Sequence, residues 1–346
     1  MKDFRYSIIV TVVCLAAAGY WGVISPMGLF SALAIVTILG ILEVSLSFDN
    51  AVVNASVLKD MDEKWRQLFL TVGILIAVFG MRFLFPIVIV KIATGLGVVE
   101  VMRMALQDPT EYARHLTDAH ASIAAFGGMF LLLVFLNFVL DQEKERHWLN
   151  PIEVKLAALG KLDSVSAFVA LLVLYAVQSL LPISDSERLT ILVSGIAGIM
   201  LYLGVSSLDV LFEDKAMGKA AADTAKRSGL AGFLYLEVLD ASFSFDGVIG
   251  AFAITKDVVI IMLGLMVGAM FVRSLTVYLV HRGTLDAYVY LEHGAHYGIG
   301  ALAVIMLVSI SYHVPELVTG LIGVTFIGLS LWSSVAYNRA QRSGLT

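Results

Sequence analysis

The sequence predicts an all-α polytopic membrane protein, a single membrane domain over residues 1–346 with about ten transmembrane helices and an inverted-topology internal repeat. Three observations predict it. The composition is that of a lipid-solvated chain, ten apolar runs have spanning character, and an acidic motif recurs in runs five spans apart.

Composition comes first. Of 346 residues, 59% are hydrophobic and 15% charged, with a mean hydropathy of +0.89. Soluble domains carry about 25% charged residues. The net charge of −5 and the lack of a basic block exclude nucleic acid as an expected partner. A single cysteine, Cys14, excludes disulfides within the chain and argues against thiolate metal sites and cysteine catalysis.

Apolar runs fall near 6–24, 28–58, 67–90, 121–140, 165–182, 189–212, 229–255, 257–280, 287–312 and 315–336. The first is long for a signal peptide, despite the small residues Ala16, Ala17 and Ala18, and reads as a retained helix. The second is too long for one straight span and carries Asp49, Asn50 and Asn54, so a break near Asn50 is expected. Residues 91–120, with Glu100, Arg103, Asp108-Pro109 and His115, read as an amphipathic interfacial segment plus a loop.

Lysine and arginine orient the bundle. With the N-terminus inside, sixteen of the 23 basic residues fall in cytoplasmic segments and five outside, while Arg82 and Arg273 lie within apolar runs. Both termini are therefore expected in the cytoplasm.

The repeat is legible by eye. Glu43-Val-Ser-Leu-Ser-Phe-Asp-Asn-Ala-Val-Val recurs as Asp240-Ala-Ser-Phe-Ser-Phe-Asp-Gly-Val-Ile-Gly. This register pairs Glu43 with Asp240, Ser45 with Ser242, Ser47 with Ser244 and Asp49 with Asp246. In the next run Gly73 pairs with Gly264 and Arg82 with Arg273, and a weaker echo joins Asp118-Ala119 to Asp286-Ala287. The halves are residues 28–140 and 229–312, with connecting helices over 165–212. Helices 2–4 and 7–9 match, and an odd separation of five spans inverts one half relative to the other. Many secondary transporters are built this way, with the ion site near the midplane.

Carboxylates inside spans are costly and need a buried arginine, a bound cation or a proton. The candidates are Glu43, Asp49, Glu237, Asp240 and Asp246, joined by Ser47, Ser244 and Asn50 as neutral oxygen ligands. Such ligands suit Mg²⁺, Ca²⁺ or Mn²⁺. Glu292, His293 and His296 have helical spacings that can add ligands and move preference towards Mn²⁺, or they lie at the interface. Arg82 and Arg273 are charge partners, either structural or able to discharge an empty site.

The motifs at Ser47-Phe48-Asp49-Asn50 and Ser244-Phe245-Asp246-Gly247, with Arg82 and Arg273 in the helices that follow, resemble the TerC family of membrane proteins. That family is named for tellurium resistance and is similar to the LysE superfamily of small-solute exporters. The resemblance covers residues 28–312 and departs at Gly247, Val248 and Ile249, where the family has Ser, Ile and Pro. It implies export of a divalent cation, above all Mn²⁺, across a bacterial inner membrane. The cation is substrate, with no prosthetic group, and the chain is expected not to be an enzyme. Expected partners are the bilayer, the ion, protons as counter-ion and, as an open assembly, a second copy in a homodimer. Two other readings stand beside transport: a non-transporting membrane component of a metal or tellurite stress response, and an intramembrane hydrolase.

Overall fold

The computed structural model describes residues 3–59, 61–73, 75–142, 144, 146–160, 164–216 and 229–342, with all of their side chains except those of 93, 186, 209–216, 245, 246, 316 and 317. Among the described residues there are helices and connections but no strands. Each of the ten apolar runs is helical.

The chain opens with α1 (Arg5–Ile24) and α2 (Leu29–Leu46), a hairpin turned at Gly28, whose φ of 85° suits glycine. The expected break follows, at Ser47 rather than Asn50, and α3 (Phe48–Lys59) continues beyond it. The local cause is a carboxylate: Asp49 accepts its neighbour Asn50's backbone N–H (2.9 Å) in the first turn of α3. Negative charge is favourable at a helix N-terminus, so Asp49 helps start the second half-helix. This answers the loose spacing of Glu43 and Asp49, which belong to two helices.

Next come α4 (Glu63–Leu68), two π-wound stretches (Phe69–Gly73 and Ile76–Leu84) and α5 (Phe85–Thr94). The wider winding is visible where Phe85 N–H bonds to the Gly80 carbonyl, five residues back. Such stretches are rare and cluster at functional sites. The segment expected at the interface forms two short helices, α6 (Val98–Gln107) and α7 (Pro109–Asp118). Asp108 caps α7 by accepting the Glu111 N–H (3.2 Å), and Pro109 fills the position where an N–H is not needed.

The rest of the chain comprises α8 (His120–Leu140), α9 (Asn150–Leu159), α10 (Val165–Leu180), α11 (Asp185–Ala216), α12 (Gly229–Ile254), α13 (Val258–His281), α14 (Thr284–Ala287), α15 (Leu291–Ser309) and α16 (Glu316–Arg342). Among the described residues, seven helices are long and apolar enough to cross a membrane, and the pair Glu63–Gly73 and Ile76–Ile92, bent by 41°, makes an eighth if it is one span. The shorter α10 is apolar, and α12 carries three carboxylates, so neither stands among the seven. Phe30 and Leu180 are 84% and 81% exposed, which water penalises and lipid does not.

Close helix packing rests on small residues, as expected where lipid and protein are equally apolar. Alpha carbons of Gly40, Gly264 and Gly268 let α2 lie against α13: a Cβ at Gly264 would stand 2.5 Å from Leu39 Cβ, and one at Gly268 2.3 Å from Glu43 Cβ. Gly128 likewise meets Leu307 across the α8–α15 contact, and Gly198 meets the Phe126 carbonyl across α8–α11. The packing partners are reciprocal. Helices α2 and α3 lie on α13, while α12 lies on the π-wound segment and α8 lies on α15.

The connection after α8 is tied to the bundle through a buried carboxylate. Glu153 of α9 is wholly buried and accepts the Leu149 N–H (2.9 Å) and the Tyr297 hydroxyl (3.1 Å), with Lys144 Nζ 2.9 Å from its other oxygen. Most of the other long connection, residues 217–228, lies outside the described residues.

Two outcomes follow from these contacts. Gly268→Ala will cost about 1–3 kcal/mol through overpacking against Glu43, read as a lowered thermal midpoint in detergent. Gly328→Ala, with nothing within 4 Å of its added methyl, will leave the midpoint unchanged. Burial pushes the Glu153 carboxyl up, but the Leu149 N–H, Lys144 and His293 outweigh it and hold its pKa below the ordinary 4.5. A lowered pKa contributes stability above that ordinary value and loses it as pH falls further. Limited proteolysis of the 141–160 segment will therefore accelerate below pH 4.5, and Glu153→Gln will raise cleavage already at neutral pH.

Candidate functional site

Inside the bundle, α2, α3, α12, α13 and the π-wound segment bring a set of polar side chains together out of contact with lipid. Glu43, Ser47, Asp49, Asn50, Asn54, Arg82, Glu237, Asp240, Ser242 and Ser244 are all buried. What matters is how each is satisfied, because an unpaired buried polar group costs about 1–3 kcal/mol and a charge more.

Glu43 is satisfied by charge. Arg82 Nη2 donates to its Oε1, Arg82 Nη1 donates to the Ala77 carbonyl (2.7 Å), and Ser47 Oγ lies 3.4 Å from the same carboxylate oxygen. Glycines make room for it. A Cβ at Gly247 would stand 2.8 Å from Glu43 Oε2, so the position where the TerC motif has serine accommodates this carboxylate. The carboxylate therefore sits between α12 and α13 with its arginine reaching across from the π-wound turn.

Asp240 is satisfied by amides. Its Oδ1 accepts both Asn50 Nδ2 (2.7 Å) and Asn54 Nδ2 (3.0 Å), two side chains one turn apart on α3. With their amino groups so used, Asn50 Oδ1 and Asn54 Oδ1 are buried acceptors with no donor. Glu237, one turn before Asp240, is 7% exposed and neither of its oxygens has a hydrogen-bond partner. A Cβ at Gly73 would stand 2.7 Å from its Oε1. Ser244 Oγ is also without a partner.

Beside them lies a cavity of about 40 Å³ whose polar lining is Asn50, Asn54, Arg82, Asp240, Arg273 and Thr276, the rest of its wall being glycine and apolar side chains. That volume holds a small number of waters or one ion. Arg273 is half-buried on its wall; its Nε has no partner, and among the described residues no carboxylate pairs with it.

The expected ligand set is thus divided. Asn50 and Asp240 line the cavity, Glu237 stands at its edge and Glu43 is bound to Arg82. Asp49 faces elsewhere: its Oδ2 packs where Gly298 of α15 and Gly323 of α16 leave room, 3.2 and 3.3 Å from the Cβ positions those glycines lack. Neighbours on a helix point about 100° apart, and here Asn50 turns to the cavity while Asp49 turns to α15 and α16. Ser45 is exposed and bonds back to the Ile41 carbonyl. The Asp246 side chain lies outside the described residues.

The α15 group divides: Glu292 and His296 line a pocket with Asp141, apart from the acidic cavity, while His293 turns to α9. His293 Nε2 donates to the Arg146 carbonyl (2.9 Å) and lies 3.7 Å from Glu153, which ties it to α9. His296 Nδ1 donates to the Glu292 carbonyl (2.9 Å) and its ring stacks on Phe138 at 3.8 Å. Both imidazoles are buried rather than interfacial, while Glu292 is exposed. Among the described residues, no three His, Cys, Asp or Glu side chains converge as a ready metal site. What the cavity offers is carboxylate and amide oxygen.

Asn54 is the residue that motif reading left out of the set, although its spacing of four from Asn50 places both on one face of α3. Gly73 and Gly247 stand out in the sequence only through the repeat and the motif, and Gly268 not at all, because close approach to a distant carboxylate is not a local property.

The fold and this buried polar core define an integral membrane protein with an ion-sized polar cavity inside its helix bundle. Residues 48–341 match the model of the DUF475 family, described as a protein of unknown function, and the chain belongs to that family. No curated protein and no solved structure matches.

Breaking the buried ion pair provides the local test. Glu43→Gln strands Arg82 and will cost about 3–5 kcal/mol, seen as a large drop in thermal midpoint. Replacing both, as Glu43→Gln with Arg82→Met, will recover most of that loss.

Proposed function

We propose that this chain is a secondary transporter that exports a divalent metal cation, with Mn²⁺ favoured over Ca²⁺ and Mg²⁺. The observation that carries the reading is an excess of buried acceptors. Among the described residues the core holds four carboxylates, Glu43, Asp49, Glu237 and Asp240, against two arginines. Asp49 lies apart, so at the cavity Glu43, Glu237 and Asp240 stand against Arg82 and Arg273 and leave one negative charge, beside the unpaired amide oxygens of Asn50 and Asn54. The orphaned oxygens of Glu237, Asn50 and Asn54 are hard ligands, suited to Mg²⁺, Ca²⁺ and Mn²⁺. The preference for Mn²⁺ rests on the TerC resemblance, and proton exchange fits the same charge count.

Ten spans belong to this proposal: the seven long helices, the bent pair, α10 and α12. The inverted repeat belongs to it as well. In support, the motif helices of each half pack on the following helix of the other half, α2 and α3 on α13 and α12 on the π-wound segment, while their last members α8 and α15 pack together. Reciprocal packing of this kind suits two halves rocking about a shared site. A bacterial inner membrane and cytoplasmic termini follow from the resemblance and from the basic loops. The hydrolase reading is less well served, because Asp49 and Asp240 face different elements and form no dyad.

Flux in proteoliposomes tests the proposal. Protein reconstituted as the full chain will move Mn²⁺. Asp240→Asn and Asn54→Ala will each lower the rate at least tenfold, and Glu292→Gln will leave it within twofold. Flux indifferent to both cavity substitutions would remove the reading.

A further inference from the structure

The two arginines occupy matching places in the repeat and are used differently. Arg82 is bound to Glu43, the acid of its own half. Its counterpart Arg273 has no such partner, although the register pairs Glu43 with Asp240. Asp240 is held instead by the amides of Asn50 and Asn54, which come from the other half. Arg273 and Asp240 line the same cavity of about 40 Å³. Nε is without a partner in both arginines, but Arg82 is anchored at both terminal nitrogens, whereas among the described residues nothing bonds the Arg273 guanidinium, which is placed to move.

From this asymmetry we propose that Arg273 is the internal counter-cation of the cavity, pairing with Asp240 when the substrate has left, so that the halves exchange ion pairs between two orientations. The orientation described here has Glu43–Arg82 closed and Asp240–Arg273 open. The opposite one has Asp240–Arg273 closed. The inference rests on the transport reading and deepens it by naming the charge that makes the empty return possible. Moving an uncompensated Asp240 and Glu237 past hydrocarbon costs several kcal/mol per charge. An arginine that replaces the departing ion removes much of that barrier. Asn50 and Asn54 then have a second role, holding Asp240 in the open arrangement until substrate or Arg273 takes it.

The experiment reads orientation without metal. Thr276 lies on the cavity wall one turn from Arg273 and is buried. A single cysteine placed there, as Thr276→Cys in a full-length Cys14→Ser protein, is reconstituted in metal-free liposomes and treated with a membrane-impermeant maleimide from either side. The parent will label from both sides. Arg273→Gln will lose labelling from one side at least tenfold, Asp240→Asn will lose it from that same side, and Arg273→Lys will retain both. Labelling unchanged by Arg273→Gln overturns the inference, as does loss from opposite sides in the Arg273→Gln and Asp240→Asn proteins. If instead no divalent cation binds but the Arg273-dependent labelling is present, the substrate assignment fails and the ion-pair exchange stands.

Discussion

Charge neutrality inside hydrocarbon is the constraint from which the rest of this structure follows. Four carboxylates described within the bundle have distinct solutions. Glu43 takes an arginine, Asp240 takes two amides, Asp49 takes a helix N-terminus, and Glu237 has no partner at all. The first three solutions explain local structure. Arg82 anchors the π-wound segment to α2, the asparagines tie α3 to α12, and Asp49 sits where the long second run breaks into two helices. The fourth leaves a demand that only a proton or a cation can meet.

Glycine gives these solutions their geometry. Gly247 and Gly268 surround Glu43, Gly73 admits Glu237, and Gly298 with Gly323 admits Asp49. A methyl group at Gly73 or Gly247 would occupy the space that the carboxylate needs, one at Gly268 would strike the Glu43 stem, and one at Gly298 or Gly323 would crowd Asp49. The polar core is thus built by close helix approach, which small residues allow in a membrane where burial of apolar surface gives no net advantage. The same logic joins α2 to α13 and α8 to α15.

Much of this was readable in the chain. Composition and run length are properties of single segments, so the helical class, the apolar runs and the broken second run were all accessible. The burial of Glu43, Asp49, Glu237 and Asp240 followed from their positions in apolar runs. Which of them meet could not be read, because that depends on helix rotation. Asp49 and Asn50 are adjacent in sequence yet face different neighbours, and the Glu292–His296 spacing gives no hint that His293 turns to Glu153 on α9. The break at Ser47 rather than Asn50 depends on one hydrogen bond from a backbone N–H to the Asp49 carboxylate.

The central claim is that this core holds a divalent cation with oxygen ligands from Asp240, Asn50, Asn54 and Glu237. Electron paramagnetic resonance of the purified full-length chain titrated with Mn²⁺ addresses it most directly. The account predicts saturable loss of the free-ion signal at one ion per chain, with no directly bonded imidazole nitrogen in the pulsed spectrum. An undiminished free-ion signal, or a bound ion carrying histidine nitrogen, would contradict it.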